Sequence, residues 1–158
     1  RIDTLAGIKE TRYRAMFADA FPEMPGATEL IGQLKQAGWK VAIGSSAPRP
    51  NIDFCIERFN RLGAEFDAVA CGDDVAHGKP APDVFLLAAS RLGVSPEACV
   101  VLEDAPVGIE AAHRAGMGSV GVCSRGRTRA ELAAAGLVVE RLSELTPERL
   151  ASLCGAAA

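Results

Sequence analysis

The sequence predicts an α/β protein built on a Rossmann-like, doubly wound parallel sheet. Three observations predict it. Short apolar runs alternate with stretches of helical periodicity along the whole chain, the signature of strand–helix units. The run at 99–102 is continuously apolar rather than alternating, as suits a parallel strand covered on both faces. Glycine and proline stand at the joints between runs, where helices stop and start.

Taken in order, residues 2–20 read as an amphipathic helix with Leu5, Ile8, Tyr13, Met16 and Phe17 toward one side. Residues 21–26 are a breaker-rich turn. The next helix carries Leu30, Ile31 and Leu34 at core spacing, with Gly38 as its stop. A strand at 39–43 ends in Gly44-Ser45-Ser46, and a helix over 51–61 aligns Ile52, Ile56 and Phe59. A strand at 66–70 leads into the polar loop 72–80. Pro82 suits the first position of a helix that runs to Leu92, with Gly93 after it. The strand at 99–102 ends in Glu103-Asp104. Pro106 opens another helix and Gly116 closes it, before the strand at 119–123. Thr128-Arg129-Ala130-Glu131 has the spacing of a capping box and predicts a short helix. A last strand covers 137–139, and Thr146-Pro147 starts a terminal helix.

Composition narrows the function classes. The chain has 158 residues, 49% hydrophobic and 23% charged, with a net charge of −3. That is enough chain for one domain with its own core, and it excludes disordered and low-complexity readings. Mild acidity argues against a nucleic-acid partner. No apolar run approaches the roughly 18 residues of a membrane span, and Arg1-Ile2-Asp3-Thr4-Leu5 does not read as a secretory signal. The five cysteines, Cys55, Cys71, Cys99, Cys123 and Cys154, are odd in number and never paired as Cys-x-x-Cys. They read as free thiols of a cytoplasmic protein rather than a zinc site.

In a doubly wound sheet, ligands sit outside the carboxyl ends of the strands. Three groups of polar residues fall there. Ser45 and Ser46 lie between a strand and a helix, where a hydroxyl and backbone N–H groups can hold a phosphate oxygen; ordinary turn and capping chemistry explains them equally. Lys79, between Gly78 and Pro80 in a stiff turn, can offer a compact positive charge to a phosphoryl group or be a solvated loop lysine. It is no P-loop lysine: Gly72 and Gly78 have five residues between them, and Pro80 follows Lys79. Glu103 and Asp104 are hard oxygen donors suited to Mg²⁺, or acids favouring the helix start near Pro106. As neighbours they point in different directions, so one is expected to ligate directly. Arg49 and Asn51 follow the serine turn and are candidate substrate contacts. Asp73-Asp74, His77, His113 and the arginines Arg125, Arg127 and Arg129 read more simply as solvated groups. A dinucleotide-binding domain is disfavoured, since no Gly-x-Gly-x-x-Gly follows a strand.

Together and in this order these stretches resemble the haloacid dehalogenase (HAD)-like hydrolases, in their β-phosphoglucomutase-like branch, which includes sugar-phosphate phosphatases. The stretches are 41–46, Gly78-Lys79-Pro80-Ala81-Pro82-Asp83-Val84-Phe85, Leu102-Glu103-Asp104-Ala105-Pro106-Val107-Gly108-Ile109, Ala115-Gly116-Met117 and 120–122. The likeness covers about residues 22–125, and residues 1–21 resemble the end of the family's helical cap. The resemblance implies a HAD-like core over 22–158. It implies that Ser45 binds the phosphoryl group, that Lys79 neutralises it and orients the nucleophile, and that Asp104, with Glu103 beside it, holds Mg²⁺. The implied substrate is a small phosphorylated metabolite, a sugar phosphate.

One departure is large. The family's first strand carries Asp-x-Asp, whose first Asp attacks phosphorus and whose second protonates the leaving oxygen. Here no two aspartates are separated by a single residue. In the family that strand lies between the ones ending at Ser45 and at Glu103, so two half-sheets with facing unpaired edges are expected, open to closure on each other or on another chain as an oligomer. The chain is accordingly expected to be the C-terminal part of a longer enzyme, inactive as it stands. The competing expectation is a catalytically dead, phosphate-binding or protein-interaction module on the same scaffold.

Overall fold

The structure, a computed structural model, describes residues 23–124 and 126–155. The helix expected over 2–20, and with it the cap remnant 1–21, lies outside those residues, as does Arg125.

Helix α1, Ala27–Gln36, leads to strand β1, Ala42–Gly44. Helix α2, Arg49–Arg61, follows and returns the chain to β2, Ala68–Ala70. After the loop come α3, Asp83–Leu92, β3, Val100–Glu103, and α4, Pro106–Arg114. Strands β4, Gly118–Val122, and β5, Leu137–Val139, precede the short α5, Pro147–Ala151. All strand pairs are parallel. Gly93 ends α3 at φ 66°, a left-handed conformation costly for any residue with a Cβ.

The sheet is divided. β1 pairs only with β2, in the register Ala42↔Ala68, and β3 pairs with β4, which pairs with β5. Helices cover both faces. On one, α3 and α4 pack Val84, Phe85, Ala88, Ala111 and Ala112 with Ala70 and Met117. On the other, Leu30 and Leu34 of α1 and Leu150 of α5 pack on Val120, Val122 and Val139. Burying each such aliphatic side chain contributes roughly 1.5–3 kcal/mol.

Three expectations change. β1 and β3 are half-buried along their length, while β4 is covered, with Val120 at 0% exposure; an apolar run is fully buried only where a strand lies on each side. The capping box at Thr128 forms, with Thr128 Oγ1 and N–H both donating to Glu131 Oε2 at 3.0 and 2.8 Å. No helix grows from it, and residues 129–136 are turns and bends. Pro82 sits one residue before α3 rather than at its first position. No helix among the described residues is long and apolar enough to cross a membrane.

Candidate active site

The carboxyl ends of β1 and β3 meet at one side chain. Lys79 comes from the loop before α3, and its Nζ donates to Gly44 O at 3.3 Å and to Glu103 Oε1 at 3.2 Å. Its third neighbour is the Phe85 ring, 4.4 Å from Nζ to centroid, a cation–π contact. Lys79 thus joins two sheets that no backbone hydrogen bond joins among the described residues. Only 10% of its side chain and 15% of that of Glu103 are exposed, so the pair is screened far less than a surface ion pair.

Local sequence fixes this geometry. The side chain of Glu103 lies over Gly108 so closely that a Cβ there would stand 1.8 Å from Oε1. The Glu-Asp-x-x-x-Gly spacing therefore provides the space into which Glu103 folds. Gly44 gives Phe85 similar room, since a Cβ would be 2.8 Å from the ring. Burial pushes the Glu103 carboxyl above its ordinary range, and the Lys79 charge only partly opposes that.

Beside Lys79 the serine turn is tightly knit. Ser45 N–H donates to Ala70 O at 3.0 Å, and Ser45 Oγ accepts from Ala47 N–H at 3.1 Å. Ser45, Ser46, Gly72, Asp73 and Gly78 line a recess of about 290 Å³. Arg49 and Asn51 do not line it. The Arg49 guanidinium pairs with Asp74 at 3.1 Å and the Arg49 backbone N–H donates to Asp73 at 2.7 Å, while Asn51 is buried in the first turn of α2.

Asp74, which read as a solvated acid, is instead the centre of a cluster. It accepts from Arg91 at 2.8 Å, from Cys71 N–H at 3.0 Å and from Arg49. Arg91, then the Cys71 backbone, hold its carboxyl well below the usual carboxylate range. This cluster ties the loop after β2 to α2 and α3. His113 likewise does more than face solvent: its Nε2 is 2.8 Å from the buried Ser119 Oγ, which also accepts from Gly136 N–H at 3.2 Å. His77 stays exposed, 3.0 Å from Asp83, and Arg127 and Arg129 pair with Glu131 and Glu140 on the surface.

Asp104 accepts from Ser124 Oγ at 3.0 Å. Among the described residues no three His, Cys, Asp or Glu side chains cluster as a metal cage. Two neighbouring carboxylates still match Mg²⁺, which keeps several waters and takes one or two carboxylates plus phosphate oxygens. Sequence reasoning missed Phe85, Ser124 and the role of Asp74. Phe85 was available from its place six residues after Lys79; Ser124 and Asp74 carry no spacing signal.

Comparison with known proteins decides the family. Residues 3–116 match the model for haloacid dehalogenase-like hydrolases. The chain belongs to that family. Among HAD-like relatives it is 38% identical over 144 residues to beta-phosphoglucomutase of Bacillus subtilis, covering 90% of this chain and 61% of that protein. It is 39% identical over 106 residues to the phosphorylated carbohydrates phosphatase of Thermotoga maritima, covering 66% of this chain and 48% of that one. A crystal structure of a CbbY variant from Rhodobacter sphaeroides in complex with xylulose-(1,5)bisphosphate superposes with a TM-score of 0.81 at 32% identity, covering 94% of this chain and 68% of that one. The branch is the β-phosphoglucomutase-like one, and this HAD-like chain spans about half to three-fifths of those two curated relatives.

Proposed function

We propose that this chain carries the phosphoryl-binding and metal-binding half of a Mg²⁺-dependent sugar-phosphate phosphatase or phosphomutase. The observation that supports it most is Lys79, a nearly buried cation at the carboxyl ends of β1 and β3, beside the Ser45 turn. The Ser45 and Ser46 hydroxyls bind the phosphoryl oxygens. Lys79 neutralises developing charge on the transferring group. Asp104, with Glu103 adjacent, would hold Mg²⁺, which supplies further charge neutralisation when bound. Arg49, held by Asp73 and Asp74, fixes the turn rather than touching phosphate. The relatives named for phosphorylated carbohydrates and for a phosphoglucomutase, and the bisphosphate-bound CbbY variant, support a phosphorylated sugar as substrate. All five thiols are free, in keeping with a cytoplasmic setting.

Transfer through an aspartyl-phosphate needs a nucleophilic carboxylate opposite Lys79. No Asp-x-Asp occurs in the 158 residues, so the chain by itself is inactive and the nucleophile comes from elsewhere in the working enzyme. The test is a phosphate-release assay of the purified chain with Mg²⁺ and a panel of sugar phosphates. No turnover above background is expected. Turnover abolished by Asp104→Asn would show that these residues suffice, and would overturn the need for a supplied nucleophile.

A further inference from the structure

We propose that Ser124 is a positioning residue for the metal site: its hydroxyl holds the Asp104 carboxylate in the orientation in which a divalent cation meets it. The proposal rests on the Mg²⁺ reading above and adds to it a side chain that itself touches neither cation nor phosphoryl group.

Of the two adjacent carboxylates, Glu103 is already taken. Its Oε1 accepts from Lys79 at 3.2 Å, and its side chain is packed over Gly108. Asp104 is differently placed. Its Oδ2 accepts from Ser124 Oγ at 3.0 Å, and its Oδ1 meets no donor among the described residues. The kind of partner matters as much as the distance. Lysine and arginine offset the charge of the carboxylates they hold, as at Asp67, Asp74 and Glu103. A serine hydroxyl fixes a carboxylate and leaves its negative charge for a cation.

Ser124 is itself held in place by the backbone. It stands two residues past the end of β4. The Cys123 N–H before it donates to Val139 O at 2.9 Å, and its own carbonyl accepts from Arg127 N–H at 2.9 Å. Ser124 and Asp104 are both half-buried. The strand register gives the direction of the carboxylate. Glu103 is paired with Gly121, so one step further Asp104 is level with Val122, two residues short of Ser124. A rise of about 3.3 Å per residue puts Ser124 roughly 6–7 Å further along the strand direction. Meeting it at 3.0 Å requires the Asp104 side chain to lean outward, past the carboxyl ends of the strands, where ligands of a parallel sheet sit. Without the hydroxyl, other rotamers open to Asp104, and the carboxylate must be re-ordered before it ligates. Hydrogen-bond partners of ligating side chains typically contribute about 10–100-fold to metal affinity.

The competing account is a structural tether between the ends of β3 and β4, which would leave metal affinity alone. The purified chain, isotope-labelled, is titrated with Mn²⁺, which broadens the amides nearest to it. Broadening centred on residues 103–105 and 124 is expected, and it should be lost in Asp104→Asn. Ser124→Ala should weaken Mn²⁺ binding about tenfold or more with urea unfolding little changed, and Ser124→Thr, which keeps the hydroxyl, should restore it. In the metal-free chain the three-bond N–Cγ coupling of Asp104 should report one rotamer in the wild type and in Ser124→Thr, and an average in Ser124→Ala. Wild-type affinity in Ser124→Ala, an averaged coupling in the wild-type chain, or a Ser124→Thr as weak as Ser124→Ala would overturn the role of Ser124 and leave the metal site in place. No localised broadening in the wild-type chain, or broadening that survives Asp104→Asn, would overturn the metal reading and the proposal with it.

Discussion

Two adjacent strands of the three-stranded sheet, the inner β4 and the edge strand β3, differ in burial. β4 carries Val120 and Val122 at 0% and 3% exposure, whereas β3, with Val100, Val101 and Leu102, is half-buried throughout. β3 is the more continuously apolar of the two, Val100-Val101-Leu102 against Gly118-Ser119-Val120-Gly121-Val122. The difference is one of neighbours: β4 lies between β3 and β5, and β3 has a strand on one side only. A strand's hydrophobicity states what burial it needs; adjacent strands decide whether it gets it.

The largest expected effect that sharpens this contrast is at the covered side. Leu150→Ala, at 1% exposure against β4 and β5, should cost about 3 kcal/mol by urea unfolding. Val101→Ala, on the open edge, should cost about 1 kcal/mol or less, because it already meets solvent. Equal losses would show that the two regions are equally packed and would break the comparison.

Gly108→Ala comes next, at about 2 kcal/mol, since the added Cβ must displace the buried Glu103 carboxylate and its Lys79 partner. Loss of the Lys79–Glu103 contact in the variant's structure is the accompanying observation. A silent Gly108→Ala would mean that Glu103 is not confined there.

A smaller effect separates the loop cluster from both sheets. The Asp74 carboxyl is held low by Arg91 and its other partners, so it binds its proton more readily in the unfolded chain. Its stabilisation is complete above the unfolded value of about 3.9 and is lost as pH falls below that toward the folded value. Asp74→Asn should therefore flatten the acid limb of stability against pH, measured by thermal unfolding across that range. Smallest of all is the surface pair Arg114–Glu110 at 2.5 Å on α4, both residues about half exposed. Arg114→Ala should change stability by about 0.5 kcal/mol or less.

Most of the element order was legible because helix stops and proline starts are local: Gly93, Pro106 and the Thr146 cap act within a few residues. The division of the sheet was legible only through the resemblance, from a motif whose strand the sequence lacks. The capping box at Thr128 shows the limit of local signals. Its hydrogen bonds form, yet no helix follows, because capping satisfies donors without supplying an apolar face to bury. In the site, Ser45, Lys79 and Glu103 were legible as polar residues at strand ends. The Phe85 ring over Lys79 and the Asp74 cluster were not, since both depend on which chain segments the fold brings together.

The central claim is that Ser45 and Lys79 form a phosphoryl site. A titration of the amide-labelled chain with inorganic phosphate tests it most directly. Shifts concentrated at residues 45–47, 72 and 78–79, and abolished by Lys79→Met in a chain whose remaining spectrum is unchanged, are the expected result. No shifts at those residues, or shifts that survive Lys79→Met, would contradict it.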